Sequence, residues 1–373
     1  MVEIDAKILG APGRYIQGYK ELENLCKHTS WMGERFLIII SPNGRKRFEQ
    51  TVRNSFKDSK CELVFADFGG ECTKKEIARI AAIRDENKCD VVIGMGGGKI
   101  LDTARAVAIP TGLPVVLVPT AASNDASTSA QSAVYHEDHR LDEILVYHRN
   151  PDMVLVDTHV IANAPARFLI AGIGDALSTF PGARVCVENY RRNYLGGYFT
   201  QTSYAIAKLC HQIVMDYGYQ ARLAVERKQV TKALENVIEA VILLSGIGFE
   251  SNGIAADHAI LFGFAELTHR EHVLHGEYVA FCTMAMLVLE GRPREELDEM
   301  MRLCLKLGLP MTLADLNMAD ITEDELKIVG EGTCKIGSTA HNEPFKVTPD
   351  EVVAAIKATD AIGQDYKKGI YWL

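Results

Sequence analysis

The sequence predicts a doubly wound α/β domain with a parallel sheet, followed by an all-α domain. Over the first 160 residues, short apolar runs alternate with helical stretches. The apolar runs are continuous rather than alternating, which is typical of strands buried on both faces of a parallel sheet. After about residue 160 the strand pattern stops and helix follows helix.

Five apolar runs are predicted to be strands: Phe36–Ser41, Cys61–Ala66, Asp90–Met95, Pro114–Val118 and Met153–Asp157. Helices predicted between them include Lys74–Glu86 and Leu101–Ile109. Strand, helix and strand in repetition indicate parallel strands with helices on both faces of the sheet.

The second half begins with Ala164-Pro165, which is predicted to open a helix because proline fits the first turn, where its missing N–H is not needed. Further helices are predicted at Thr202–Tyr217, Thr231–Leu244, Gly276–Leu289, Pro293–Leu307, Thr322–Val329 and Pro349–Ile362. We therefore expect an α/β domain at 1–160 and an all-helical domain at 161–373, with ligands bound in a cleft between them.

Composition excludes several classes of protein. With 47% hydrophobic and 24% charged residues and a formal net charge of −9, the 373-residue chain has an ordinary globular composition and an acidic balance, which argues against nucleic-acid binding. The N-terminus lacks the pattern of a secretory signal, and no apolar run is long enough to cross a membrane. None of the nine cysteines forms a C-x-x-C pair, which favours reduced thiols and a cytoplasmic protein.

A glycine-rich turn follows the strand DVVIGM. Gly96, Gly97 and Gly98 precede Lys99 and a helix beginning ILDTARAVA. Such a turn allows close approach of a ligand to the backbone, and the helix N-terminus favours an anion, so the turn resembles a pyrophosphate site. It is neither a Walker A loop nor G-x-G-x-x-G. The alternative is a tight turn without a ligand.

The next strand ends in PVVLVPT and leads into AASNDASTSAQSAVY, which is rich in small hydroxylated residues. Its acid is Asp125. A loop of small residues at the carboxyl end of a strand is where an open α/β sheet binds its ligand. The alternative is a polar loop with Asp125 exposed to solvent.

Three stretches of the helical half carry candidate metal ligands. Asp175 lies in AGIGDALSTF, His258 in GIAADHAILFGF, and His275 heads HGEYVAFCTM. The histidines fall on different predicted helices, so spacing alone gives weak support and a buried core histidine remains the alternative. His269 and His272 are equally available but lie in the charged segment THREH, which indicates a surface. Asp257 is either a ligand or a helix-surface acid.

Together these stretches resemble the glycerol dehydrogenases of the iron-containing alcohol dehydrogenase family, with its dehydroquinate synthase-like architecture. The resemblance runs from GMGGGKILDTARAVA through VPTAASNDASTSAQSAVY and AGIGDALST to AADHAI and HGEYVAF, and continues in HNEPFKVTPDEVVAAIKATDAIGQDYK. These motifs cover most of the chain in a consistent order.

The resemblance implies a role for several residues. It places the metal ligands at Asp175, His258 and His275 and the substrate contact at Asp125. The dinucleotide contacts fall on Gly96, Gly97, Gly98, Lys99, Asp102, Thr120, Ser123, Ser129 and Tyr135. Ser123 stands where a threonine is usual, and Gln131 replaces an aliphatic residue whose contact is not carried over. The proline usual after Ala126 is also missing.

The resemblance further implies a homo-oligomer, an octamer, that transfers hydride between a nicotinamide cofactor and a small polyol, with glycerol oxidised to dihydroxyacetone. The expected cofactors are NAD and one divalent metal ion, zinc or else iron(II). NAD-specific relatives tend to carry an aspartate where this chain has Ser41, and Arg45 or Lys46 could reach a 2′-phosphate, so we expect weak discrimination against NADP. The alternative is that Arg45, Lys46 and Arg47 only form the solvated first turn of the next helix. The competing interpretations are a hydroxy-acid or aldehyde reductase and a glycerol-1-phosphate dehydrogenase-like enzyme on the same scaffold.

Overall fold

The computed structural model describes residues 5–137, 140–270 and 273–370. The chain divides into two compact units. The α/β unit comprises 10–165 and 224–246, and the helical unit comprises 1–9, 166–223 and 247–373. The domain ranges expected from the sequence, 1–160 and 161–373, remain a prediction. The units assign two segments differently, because 1–9 belongs with the helical unit and 224–246 with the α/β unit.

The α/β unit contains a six-stranded parallel sheet in the order β1-β8-β5-β4-β2-β3. Its strands are β1 (Tyr15–Gly18), β2 (Arg35–Ile40), β3 (Glu62–Asp67), β4 (Val91–Gly96), β5 (Val115–Pro119) and β8 (Met153–Asp157). The five strands predicted from the sequence are all present, each within one residue at either end. Every residue of β4, β5 and β8 is buried, as their continuous apolar sequences require.

The helices of the α/β unit are α1 (Leu25–Thr29), α2 (Pro42–Ser55), α3 (Lys74–Glu86), α4 (Gly98–Ala108), α5 (Thr158–Ala162) and α8 (Lys232–Glu239). Hydroxylated side chains cap three of them: Ser41 accepts from the N–H of Gly44 at the start of α2, and Thr73 and Thr231 cap α3 and α8. The predicted helix Lys74–Glu86 is confirmed at both ends.

Two parts of this unit depart from the predicted pattern. Strand β1 was not predicted. The prediction of a polar loop throughout AASNDASTSAQSAVY is wrong for the end of this segment. There the chain forms β6 (Gln131–Tyr135), which pairs antiparallel with β7 (Leu141–Val146). In β6, residues 131–135 alternate between half-buried and buried positions, a period typical of strands, but the run is too short and polar to stand out in the sequence.

The helical unit contains α6 (Ala166–Glu188), α10 (Ala256–Ala265), α11 (His275–Leu289), α12 (Arg294–Leu307), α13 (Glu323–Thr333) and α14 (Pro349–Lys367), with most of α7 (Gln201–Glu226) and α9 (Ser245–Asn252). Helix α6 begins directly after Pro165, as predicted. Side chains of α10, α11, α13 and α14 form one buried apolar core that includes Phe264, Phe281 and Ile356.

One predicted helix ends in a different way. The helix expected at Thr231–Leu244 is α8 followed by a π-helical turn at Ala240–Leu244, and the chain then continues as α9.

Among the described residues, no single helix is long and apolar enough to span a membrane; only the bent pair Lys232–Asn252 and Ala256–Ala265 meets that test, by length and composition.

Candidate functional site

The glycine-rich turn joins β4 to α4 in the α/β unit. Gly97 is the N-cap of α4 and has no side chain to cap it, so the first N–H groups of the helix are open to a ligand. A Cβ added to Gly97 would meet no atom within 4 Å, and one on Gly98 would meet the side chain of Asn124 at 3.3 Å. The backbone is therefore accessible here, as a bound anion requires.

A cavity of about 620 Å³ adjoins this turn. Its lining comprises Ser41, Pro42, Phe68, Gly69, Gly70, Gly97, Gly98, Lys99 and Ile100. Gly97, Gly98 and Lys99 were predicted cofactor contacts, and Ser41 was the residue predicted to face the ribose. The segment Phe68 to Gly70 was missed; its signal is a glycine pair directly after the carboxyl end of β3, where ligands bind in an open α/β sheet. The open N-terminus of α4 and the adjoining cavity suit the phosphate groups of a nucleotide.

Lys99 is not free to act as a bare cation. Its ammonium group lies 2.6 Å from a carboxylate oxygen of Glu71, whose other oxygen accepts a hydrogen bond from the N–H of Cys72 at 3.0 Å. The Glu71 side chain is almost buried, whereas that of Lys99 is half exposed. To contact a pyrophosphate, the ammonium group of Lys99 must therefore either leave Glu71 or bind Glu71 and the phosphate at the same time.

Asp102 lies in the interior face of α4. Burial raises the pKa of its carboxyl to about 6, although the neighbouring Arg105 guanidinium lowers it. Arg105 is fully buried and also donates to the carbonyl of Ala126 at 2.7 Å. The pair thus ties α4 to the segment that carries Asp125, and a role for Asp102 in cofactor binding stays a prediction.

The other predicted cofactor contacts surround the same end of the sheet. The N–H of Thr120 donates to the carbonyl of Gly96 at 3.0 Å, so β4 and β5 end side by side. The N–H of Tyr135 donates to the carbonyl of Cys72 at 2.8 Å, and burial raises the pKa of the Tyr135 phenol to about 12. Ser129 is buried and Ser123 half-buried. Their contact with a dinucleotide remains a prediction.

Asp125 is not a free solvent-facing acid. Its Oδ2 accepts a hydrogen bond from the hydroxyl of Ser245 at 2.8 Å, and the nearby hydroxyl of Thr128 donates to the carbonyl of Ile242 at 3.1 Å. Ile242 lies in the π-helical turn, a feature common at functional sites, and Ser245 follows that turn directly. Sequence reasoning missed Ser245, because an apolar run ending in Leu-Leu-Ser gives no sign of a π turn.

The three predicted metal ligands converge in the helical unit. Asp175 on α6, His258 on α10 and His275 at the start of α11 each offer one ligand atom, and these atoms lie within 4.8 Å of one another. The Nε2 atom of His275 lies 3.2 Å from Oδ1 of Asp175, and the two imidazole rings are 5.7 Å apart. One carboxylate and two imidazoles form a donor set suited to zinc or iron, with positions left for substrate.

Glycines next to two of the ligands explain the convergence. A Cβ on Gly276 would lie 1.8 Å from the carbonyl oxygen of Ala171, and one on Gly174 would lie 2.3 Å from that of Gly276. Helices α6 and α11 therefore approach with backbone against backbone, which only glycine permits. Glu277 fixes the start of α11 by accepting from the N–H of Leu274 and binding Arg167 through both oxygens.

One competing histidine, His269, does not join this cluster. His269 is exposed on the surface, where its Nε2 lies 2.8 Å from Glu325. His272 lies outside the described residues. The choice of His275 over His269 agrees with the position of the ligand atoms.

A dinucleotide-type turn on a parallel sheet and an Asp-His-His cluster on a helical unit define the class as a metal-dependent dehydrogenase. Residues 12–158 match the family described as iron-containing alcohol dehydrogenase. The chain is 43% identical over 360 residues to a glycerol dehydrogenase of Escherichia coli, covering 96% of this chain and 98% of that protein. It is 44% identical over 354 residues to one of Thermotoga maritima, covering 95% and 96%.

The crystal structure of a probable glycerol dehydrogenase from Sinorhizobium meliloti superposes with a TM-score of 0.91 at 40% identity, covering 96% of this chain and all of that one. The chain therefore belongs to the iron-containing alcohol dehydrogenase family, on its glycerol dehydrogenase branch. Members of this family are metal-binding oxidoreductases that act on CH–OH groups with a nicotinamide cofactor.

Proposed function

We propose that this enzyme oxidises glycerol to dihydroxyacetone with NAD and one bound zinc ion. The observation that carries the proposal is the convergence of Asp175, His258 and His275 in a chain similar to glycerol dehydrogenases along nearly its whole length. Iron(II) is the alternative metal, because the same ligands accept it.

Each bound group supplies one part of the chemistry. When bound, a divalent ion would supply Lewis-acid chemistry toward the substrate hydroxyl, and a nicotinamide would supply the hydride acceptor. The protein residues then bind and orient. Asp175 would offer the cation one negative charge, and His258 and His275 would each offer a neutral imidazole nitrogen.

Asp125 contributes orientation through its carboxylate. Its Oδ2 already accepts from Ser245, so the carboxylate is held in place and still has acceptor capacity for a substrate hydroxyl. A charge-assisted hydrogen bond of this kind favours a polyol over a simple alcohol, because a second hydroxyl is needed to make it. This is the support for a polyol as substrate.

The glycine turn supplies the cofactor site. The open N–H groups at the start of α4 suit a pyrophosphate, and the small side chains of Gly69, Gly70, Gly97 and Gly98 leave a wide cavity beside them. We assign Asp102, Thr120, Ser123, Ser129 and Tyr135 to the same cofactor by resemblance. NAD is the main cofactor, and NADP is accepted to a lesser degree.

We also propose a cytoplasmic homo-oligomer, an octamer. All nine cysteines are free and most are buried, which suits a reducing compartment. Size-exclusion chromatography with light scattering gives the number of subunits directly.

Metal analysis followed by a substrate panel tests the proposed function. Glycerol, 1,2-propanediol, lactate and glycerol 1-phosphate are assayed with NAD and with NADP, and glycolaldehyde with NADH and with NADPH, before and after removal of the metal by a chelator. We expect glycerol and propanediol to be the best substrates, activity to vanish on chelation, and zinc to restore it. A preference for the phosphate ester or the hydroxy acid would replace the proposed substrate, and full activity without metal would refute the mechanism.

A further inference from the structure

Asp257 precedes the metal ligand His258 but does not belong to the ligand cluster. Its side chain is completely buried at the start of α10, so it is not a helix-surface acid. One carboxylate oxygen accepts from the N–H of Ala255 at 3.0 Å. The other lies 3.2 Å from Nδ1 of His258. Both oxygens therefore have a partner within the protein.

We propose that Asp257 is a positioning residue that fixes the tautomer and ring orientation of His258 for metal binding. A carboxylate can only accept, so Nδ1 of His258 must carry the proton and Nε2 is left with the lone pair for the metal. A metal-binding histidine usually donates its other N–H to such a group, which also makes the ligand more basic. The inference rests on the metal site of the proposed function.

The surroundings leave this carboxylate little freedom. A Cβ on Gly182 of α6 would lie 3.2 Å from Oδ2 of Asp257, so that glycine provides the space which the carboxylate occupies. The backbone N–H of Asp257 is itself directed at the sulfur of Met286 at 3.3 Å. Among the described residues, the N–H of Ala255 and the ring of His258 are hydrogen-bond partners of this carboxylate, and burying a carboxylate is costly unless such partners bind it.

Asp257→Asn is the variant that separates positioning from packing. The amide has nearly the same shape but only one acceptor oxygen, and two N–H donors point at this side chain. If the amide oxygen still accepts from the N–H of Ala255, its NH₂ group faces His258 and needs an unprotonated Nδ1 as acceptor. The ring proton then moves to Nε2, so that this nitrogen can no longer bind the metal. The matched control is Glu343→Gln, because Glu343 is also buried and accepts from the N–H of Ala256 at 3.2 Å, one residue away.

Two measurements on metal-free protein decide the question. Zinc affinity is measured by competition with a chromophoric chelator, and the tautomer of His258 by ¹⁵N NMR of the imidazole. We expect Asp257→Asn to weaken zinc binding by about 10- to 100-fold and to shift the proton to Nε2. We expect Glu343→Gln to bind zinc as the wild type does, and the thermal unfolding of both metal-free variants, compared at pH 5, to stay close to wild type.

Zinc affinity within about twofold of wild type in Asp257→Asn, with Nδ1 still protonated, would overturn the inference. If Asp257→Asn does not fold, Gly182→Ala takes its place, because the added methyl group would lie 3.2 Å from Oδ2 of Asp257 and would press on the carboxylate without changing its charge. Weaker zinc binding in Gly182→Ala supports positioning, and unchanged binding refutes it. A wild-type protein that binds no zinc or iron would instead refute the proposed function and leave the hydrogen bond to His258 as a separate fact.

Discussion

The cofactor turn and the metal cluster are encoded in different ways. The turn occupies four consecutive residues, Gly96 to Lys99, between a buried strand and a helix, so its chemistry can be derived from the local sequence. The cluster takes one residue from each of three helices, and its geometry depends on the close approach of α6 and α11 at Gly174 and Gly276. The cofactor turn can be recognised from a local motif, whereas the metal cluster forms only when the chain folds.

This difference makes the two sites separable by mutation, because the turn and the cluster lie in different units. A substitution in the cluster is expected to abolish metal binding and leave dinucleotide binding intact. A substitution in the turn is expected to do the reverse.

The largest effect is expected for His258→Ala and His275→Ala. Either change removes one of three protein ligands, so we expect loss of bound metal and a fall in turnover by about a thousandfold or more. Elemental analysis measures the metal, and NADH fluorescence titration should show dinucleotide binding close to wild type. His269→Ala is the matched control, since that residue pairs with Glu325 on the surface. Loss of the metal in His272→Ala but not in His275→Ala would contradict the ligand assignment.

A smaller effect is expected for Asp125→Asn. The amide is a weaker acceptor for a substrate hydroxyl, and one charge-assisted hydrogen bond corresponds to about 10- to 150-fold in kcat/KM for glycerol. Steady-state kinetics should show a higher KM and a lower kcat. Wild-type kinetics in this variant would place Asp125 outside the substrate site.

Ser245→Ala refines the same test. It removes the donor to Oδ2 of Asp125 and keeps the charge, so we expect a loss of only about two- to tenfold in kcat/KM. An effect as large as that of Asp125→Asn would mean that the position of the carboxylate, rather than its charge, decides substrate binding.

Much of the fold could be predicted from the sequence, because five strands follow continuous apolar runs and several helices begin at a side-chain N-cap. The parts that escaped prediction are those in which tertiary contacts decide. Strand β1 has only four half-buried residues and is defined by its pairing with β8. The π turn at Ala240–Leu244 has the sequence AVILL, which fits an ordinary helix equally well.

The candidate site shows the same limit. The glycine turn and the small-residue loop could be identified from residue types, but the pairing of Lys99 with Glu71 could not, because Glu71 comes from another loop. His258 and His275 were proposed as ligands by resemblance, since their spacing alone is uninformative. Asp257 was left between two roles, and burial together with the hydrogen bond to His258 excludes the surface role.

A change of cofactor preference is expected at Ser41, which lines the cavity. Ser41 caps α2 and carries no charge to repel a 2′-phosphate, so NADP should support turnover within about a hundredfold of NAD in kcat/KM. Arg45 is a weaker candidate for the phosphate than Lys46, because its guanidinium lies 2.7 Å from Glu49 and 3.3 Å from Asp67, while the Lys46 side chain is exposed.

Ser41→Asp tests this interpretation with little risk to the fold, since aspartate caps a helix as well as serine does. We expect the preference for NAD to widen by about tenfold or more, because the new carboxylate repels a 2′-phosphate. Parallel titrations of both cofactors measure the ratio. A wild-type enzyme that already rejects NADP by more than about ten-thousandfold would show that another residue reads the ribose.

The last expected effect concerns stability rather than catalysis, and it depends on Glu343. Burial, with the nearby Glu290 and Asp257, raises the pKa of its carboxyl from the ordinary 4.5 to about 8, and its Oε2 has no hydrogen-bond partner among the described residues. The folded protein therefore holds a proton that the unfolded chain releases above pH 4.5. The associated stability is complete below that pH and is lost as the pH rises toward 8.

Glu343→Gln keeps the shape of the neutral acid and removes its ionisation. We expect the variant to match wild type in thermal unfolding at pH 5 and to be more stable at pH 8 by up to a few kcal/mol, since each pH unit in this interval changes the stability by at most about 1.4 kcal/mol. Glu331→Gln, at an exposed position on α13, serves as control and should leave the pH dependence unchanged. Parallel stability curves for wild type and Glu343→Gln from pH 5 to 8 would mean that Glu343 is ionised in the folded protein over this range. The buried carboxylate would then need a partner in solution that stabilises its charge.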